Sequence, residues 1–179
     1  QINLAIAGIA IGTVILPNLS KHIKSNNKVK TMEIQNKALE LSLFLSLPAT
    51  LALIIGSEQI TSSLFGYGSF DEVSIKNSAN ALFYFSLGLP AFALIKIFSS
   101  FLFARHNTKI PFYFSIFSVL LNIFISVYFF NEIGFIIIPI ATTISSWFNA
   151  SLLLYYLLSK KYFSFNKNFP LKFLNIFFV

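Results

Sequence analysis

The sequence predicts an all-α polytopic membrane protein, with five transmembrane helices plus the start of a sixth in a single transmembrane helical fragment. Three observations carry that expectation. Long apolar runs recur along the 179 residues, each near the roughly 20 residues that cross a bilayer as a helix. Charged residues make up 11% of the chain and hydrophobic ones 56%, with a mean hydropathy of +0.76, whereas soluble domains are about 25% charged. The connections also alternate in charge. Lys21, Lys24, Lys28, Lys30 and Lys37 mark the first, Arg105 and Lys109 the third, and Lys160, Lys161, Lys167 and Lys172 the fifth. The second has Glu58, Asp71 and Glu72 against Lys76, and the fourth has Glu132 alone. By the positive-inside rule, the lysine-bearing connections face the cytoplasm and the acidic ones face outward.

The first span is expected over residues 2–19, the second over 38–60 and the third over 79–104. A fourth runs over 111–130, opened by Pro111, whose missing N–H costs nothing in a first helical turn. The fifth, over 133–158, follows so closely that it forms an antiparallel hairpin with the fourth. A partial sixth begins at Leu171 and stops at Val179. Gln1 stands inside an apolar helical pattern, so the chain is expected to be an interior or C-terminal part of a larger protein. Continuous apolar runs favour helices over a barrel, whose strands alternate over about 10 residues. Aromatic residues near the predicted boundaries, among them Tyr67, Tyr128, Tyr155 and Tyr162, fit an interfacial belt.

Pro48 and Pro90 lie inside the second and third spans, each between Leu and Ala. Each removes one backbone hydrogen bond and crowds the preceding turn. They are expected to kink their helices, either as hinges or as prolines tolerated because neighbouring helices satisfy the backbone. Gly8 and Gly12 form a GxxxG step that lets another helix approach closely.

Among polar side chains within the spans, Lys96 stands out. It precedes Arg105 by nine residues, roughly 13 Å along a helix. Its ammonium either snorkels to the cytoplasmic interface or lines an aqueous cavity and meets an anionic substrate. Thr142, Ser145, Ser146 and Asn149 fall on one helical stripe, either facing a hydrophilic pathway or hydrogen-bonding across a helix interface. Trp147 is expected to pack inside the bundle with its indole N–H on a neighbouring carbonyl, or to touch substrate.

The net charge of +7 does not argue for nucleic acid, because the basic residues sit in loops where they record topology. With no cysteine there is no thiolate chemistry. Phosphate-loop, nucleophile-elbow and H-E-x-x-H motifs are missing. His22 and His106 stand in basic loops away from paired carboxylates, so neither a metal nor another cofactor is expected. The sequence reads as a non-enzyme.

Several ordered motifs then carry a resemblance. They are the run Gly8-Ile9-Ala10-Ile11-Gly12-Thr13-Val14-Ile15-Leu16-Pro17-Asn18-Leu19-Ser20-Lys21, the step Leu47-Pro48-Ala49, and Leu64-Phe65-Gly66-Tyr67-Gly68-Ser69-Phe70. Tyr84-Phe85-Ser86-Leu87-Gly88 leads to Lys96 and to Phe103-Ala104-Arg105-His106-Asn107-Thr108-Lys109-Ile110-Pro111, and Asn149-Ala150-Ser151-Leu152 follows. This series resembles the MurJ/MviN family, bacterial lipid II flippases of the multidrug/oligosaccharidyl-lipid/polysaccharide exporter superfamily. It departs at His106, Asn107, Thr108 and Ile110, where the family favours acidic and Thr positions, and at Phe148 before Asn149.

The resemblance implies most of the C-terminal lobe of a two-lobed transporter bundle in the bacterial cytoplasmic (inner) membrane. It implies alternating access that moves lipid II, or another polyprenyl-linked precursor, between leaflets, with membrane lipids as surroundings. Lys96, Arg105 and Asn149 become candidate substrate-binding residues, Lys96 in the cavity and Arg105 in a loop or gating role. Pro48 and Pro90 become candidate hinges. The family's substrate-contacting arginines lie upstream of Gln1. Two other classes stay open: an exporter of another polyprenyl-linked saccharide or of small cations, and a membrane enzyme acting on polyprenyl phosphates, for which only the adjacent Asp71 and Glu72 offer carboxylates.

Overall fold

The computed structural model describes residues 11–67 and 71–166, all helices and turns with no strand among them. Gly8, residues 68–70 and the partial sixth span at 171–179 lie outside the described residues. Helix α1 covers Ile11–Lys24, α2 Lys28–Ile55, α3 Ser57–Phe65, α4 Glu72–Phe103, α5 Lys109–Ile133 and α6 Ile137–Ser159, with a 3-10 turn at Gly134–Ile136 before α6.

Several helix ends depart from the sequence reading. Helix α1 passes Leu19 and runs to Lys24, because Leu19 and Ile23 still pack against the core. The expected long first connection shrinks to residues 25–27, and α2 starts ten residues ahead of Ala38, at Lys28. Asn27 starts it by accepting the Lys30 amide at 3.1 Å. Helix α2 stops at Ile55 rather than Ile60. Gly56 ends it by bonding Ala52 O at 2.9 Å and accepts from the Ile60 amide at 2.8 Å, so Ile60 belongs to the separate α3. Asp71 starts α4 ahead of Ala79 by accepting the Ser74 amide at 2.9 Å. Pro111 lies in the first turn of α5, where its geometry suits it. Gly134 adopts φ 74, ψ −156, which only glycine accepts readily, and this delays α6 to Ile137 instead of 133.

Three helical stretches are long and apolar enough to cross a membrane: Lys28–Ile55, Glu72–Phe103 and Lys109–Ser159. The third folds back at Gly134, so that Phe114 of α5 meets Tyr156 of α6 while Asn122 meets Thr142. That is the expected antiparallel hairpin. The expected five spans are not reached on length and composition, because α1 shows 14 described residues and α5 with α6 counts as one interrupted stretch. Helices α2 and α4 run through Pro48 and Pro90 without a break.

Helix α4 is central and packs against α1, α2, α3 and α6. It runs parallel to α6. Thr143 donates to Tyr84 O at 2.7 Å and Trp147 Nε1 to Leu87 O at 3.0 Å, and further along Phe101 stacks on Phe163. The indole bond matches expectation, but Trp147 is 43% exposed rather than packed inside the bundle. The apolar core gathers at one end, around Ile97, Phe98, Phe101 and Leu102 of α4 with Leu19, Leu39, Leu153 and Leu157. The basic connections meet at this same end, where His22, Lys28, Arg105 and Lys160 border one pocket.

The polarity of α2 is inverted relative to a soluble helix. Its buried side carries Thr31, Gln35, Asn36, Ser42, Ser46 and Thr50, while Leu41, Phe44, Leu51 and Ile55 are exposed. Helix α5 likewise exposes Phe112, Phe117, Leu120, Phe124 and Val127. Large apolar side chains outside and small polar ones inside suit a hydrocarbon solvent; Thr31 and Thr50 bond carbonyls four residues back, and Asn36 reaches across to residues 164 and 166.

Three helices ending at the basic end, α1, α4 and α6, close with the same turn. Asn27 N bonds His22 O at 3.0 Å, Asn107 N bonds Leu102 O at 3.0 Å, and Tyr162 N bonds Leu157 O at 2.9 Å. These are Schellman turns, which need one left-handed residue, usually glycine. Here Asn26 (φ 53), His106 (φ 57) and Lys161 (φ 54) fill that position. His106→Gly is expected to stabilise the protein by about 1 kcal/mol by relieving the left-handed penalty. A rise in melting temperature in detergent would show it, and an unchanged or lower value would contradict it.

Asn36 secures the chain after α6. Its Nδ2 donates to Met32 O and Ser164 O, both at 2.9 Å, and its Oδ1 accepts the Asn166 amide at 3.0 Å. Asn36→Leu removes the bonds to residues 164 and 166 and is expected to cost about 2 kcal/mol. Trypsin should then cut faster after Lys160 and Lys161; unchanged cleavage and melting would show that the clasp contributes little.

Candidate functional site

A groove of about 450 Å³ opens where α4 and α5 diverge, with α6 as its floor. Helix α4 contributes Phe92, Ile95 and Lys96, α5 contributes Ser115, Ser118, Val119 and Asn122, and α6 contributes Thr142, Ser145, Ser146 and Asn149. The whole expected polar stripe of α6 therefore faces this groove. It also joins helices, since Asn122 Nδ2 donates to Thr142 Oγ1 at 3.0 Å and to Ser145 Oγ at 3.3 Å. The interhelical hydrogen bonding expected as one alternative for the stripe is therefore present. Ser145 and Ser146 direct their hydroxyls to Thr142 O at 3.0 and 2.6 Å, which satisfies them within α6.

Asn149 differs from those hydroxyls. It is 6% exposed, and its Oδ1 is a buried acceptor with no hydrogen-bond donor among the described residues. An unpaired buried polar atom costs about 1–3 kcal/mol, and Gln35, Ser42 and Ser46 of α2 share this state. Lys96 is exposed at the groove wall, and among the described residues no carboxylate lies within ion-pair distance of it. A second cleft of about 680 Å³ shares Ile95, Lys96 and Ser115 with the groove and extends toward Thr13, Ser100 and Thr108. Lys96 thus stands on the partition between two clefts.

Gly12 brings α1 against this wall. It is buried, and a Cβ there would lie 2.8 Å from Ser100 Oγ, which itself donates to Lys96 O at 2.8 Å. Gly88 does the same for α4 and α6, with its missing Cβ 3.0 Å from Thr143 Oγ1. Pro90, buried two residues after Gly88, stands three residues after Leu87, whose carbonyl accepts from Trp147, whereas Pro48 is on the exposed side of α2.

Arg105 is not in the groove. Its guanidinium donates to Phe101 O at 3.3 Å and Tyr162 O at 2.9 Å and lies 4.7 Å from the Tyr162 ring centroid. Partial burial lowers its pKa from the ordinary value, and nearby Tyr162 opposes that. The structure therefore brings Lys96 and Asn149 together and places Arg105 in a separate pocket at the basic end. Sequence reasoning missed Gly88 as a packing contact and Asn36 as a clasp. Asp71 is occupied as a helix cap, and bonds from Ser74 hold its carboxyl below the ordinary range.

Long apolar helices joined in places by internal hydroxyls and amides, with a lysine-bearing groove between them, define a multi-pass membrane protein. The family model described as "Lipid II flippase MurJ" matches residues 1–178, and the chain belongs to the MurJ family. It is 38% identical over 156 residues to a probable lipid II flippase MurJ of Rickettsia prowazekii (strain Madrid E), covering 87% of this chain and 31% of that protein. A probable lipid II flippase MurJ of Rhizobium meliloti (strain 1021) is 38% identical over 153 residues, covering 86% and 29%. A solved structure titled "Lipid II flippase MurJ, inward closed conformation" superposes with a TM-score of 0.82 at 27% identity, over 99% of this chain and 36% of that one. The chain thus spans about a third of the length of the relatives it matches.

Proposed function

We propose that the full-length protein moves a lipid-linked peptidoglycan precursor, lipid II, from the inner to the outer leaflet of the bacterial cytoplasmic membrane by alternating access. This chain would supply most of the C-terminal lobe, with five transmembrane helices here and a sixth beginning at Leu171. The observation that supports the reading is the groove between α4, α5 and α6, which Lys96 lines together with Ser115, Asn122, Thr142 and Asn149. A cation suits a diphosphate, and the hydroxyl and amide side chains along the groove suit the polar sugar-peptide headgroup. The polyprenyl tail would remain in hydrocarbon along the exposed apolar helices. The lysine-bearing end would face the cytoplasm. Pro48 and Pro90 would be where α2 and α4 flex as the lobes rock. On this reading the protein transports and does no covalent chemistry.

Expression of the full-length gene in a bacterium depleted of its own lipid II flippase tests the reading, with lipid II exposure on the outer leaflet as the readout. Restored exposure is the expected result. Correct insertion without exposure would overturn lipid II as cargo and favour an exporter of another polyprenyl-linked saccharide.

A further inference from the structure

We infer that the basic end carries a second anion site, apart from the Lys96 groove, that binds a phosphate-bearing group at the membrane surface. The site is a pocket of about 490 Å³ bordered by His22, Lys28, Arg105, Lys160, Lys161 and Tyr162, with no Asp or Glu among its lining residues. Four elements contribute to it, namely the end of α1, the start of α2, the turn after α4 and the turn after α6.

The arrangement is more than a set of loop lysines that record topology. Arg105 is fixed by two carbonyls and the Tyr162 ring, so part of its donor set is committed to the protein and the group is oriented in advance. Lys160 and Lys161 are placed by the Schellman turn that ends α6, and Lys28 by the Asn27-capped start of α2. Lys21, Lys24 and Lys30 belong to the same end yet do not line the pocket. Several cationic donors converging on one concavity without a carboxylate suit a phosphate, whose oxygens accept multiple charge-assisted bonds. Two sources share that chemistry: the headgroup of an anionic phospholipid, and a soluble phosphate.

The test uses the purified full-length protein in neutral detergent, where no charged bilayer attracts lysines indiscriminately. The probes are sodium phosphate and dihexanoyl phosphatidylglycerol below its micelle concentration, each titrated calorimetrically and by rise in melting temperature. Lys28→Gln/Lys160→Gln/Lys161→Gln is expected to weaken binding by at least about tenfold, as loss of charged hydrogen bonds does. Lys21→Gln/Lys24→Gln/Lys30→Gln removes the same charge outside the pocket and should change it less than about twofold. Lys160→Glu, a single reversal at an exposed position, gives a second reading if the triple variant melts early. Binding of the lipid alone assigns a membrane headgroup, and binding of phosphate, with or without the lipid, assigns recognition of the phosphate itself. No binding of either probe to the wild type, or equal losses in both triple variants, would overturn the site.

Discussion

Lys96→Ala in the full-length protein should slow lipid II exposure by at least about tenfold while its abundance stays normal. The expected size follows from Coulomb's law. A cation about 4 Å from one phosphate charge gains about 4 kcal/mol at an effective dielectric of 20, and about 1.4 kcal/mol of that suffices for a tenfold change. The fold should not suffer, because Lys96 is exposed and no carboxylate pairs with it among the described residues. The hydroxyl of Ser100 bonds the backbone carbonyl of Lys96, which alanine keeps. Lys96→Arg should retain part of the activity, whereas Lys76→Ala, removed from the groove, should leave it unchanged. Normal exposure at normal abundance in Lys96→Ala would remove the side chain from the transport mechanism.

Gly12→Leu should separate α1 from α4 and cost about 3 kcal/mol, the upper end for overpacking. The first added carbon already meets Ser100 Oγ at 2.8 Å. In Gly12→Ala the serine hydroxyl can swing away, at the expense of its bond to Lys96 O, so that substitution should be mild. Pairing it with Ser100→Ala should recover most of the loss. Leucine adds three further carbons at the same close approach, beside Lys96 O at 3.8 Å from the Cβ position. Melting curves of the full-length variants in detergent provide the comparison. A Gly12→Leu protein that melts like the wild type would show that the two helices are free to part.

The sequence displayed the helical membrane class because apolar runs and lysine spacing are properties of single segments. It was less informative about where helices begin. Helix α2 opens with Lys28, Lys30, Glu33 and Lys37, which read as a loop, although Thr31, Gln35 and Ala38 form a buried face beneath them. Asp71, followed by Ser74 whose amide it accepts, carried a start signal for α4 that hydropathy obscured. The groove was legible in parts. Lys96 and the stripe from Thr142 to Asn149 could each be read, but their meeting depends on how α4 packs along α6. Arg105 resembled Lys96 in charge and proximity, and only the turn ending α4 directs it to the carbonyl of Tyr162 instead. Asn36 gave no signal, because an amide in a lysine-rich stretch looks solvated until the chain returns to it.

The inverted polarity of α2 limits the ways it can move. Rolling about its own axis would turn Gln35, Ser42 and Ser46 toward hydrocarbon and strip the Asn36 amide from residues 164 and 166. Both changes are unfavourable in lipid, where exposed polar groups find no water. Tilting keeps every residue on its own side of the helix and requires only that the apolar outer face slide against acyl chains. Any rearrangement of this helix should therefore be a swing in which the same stripe always looks inward.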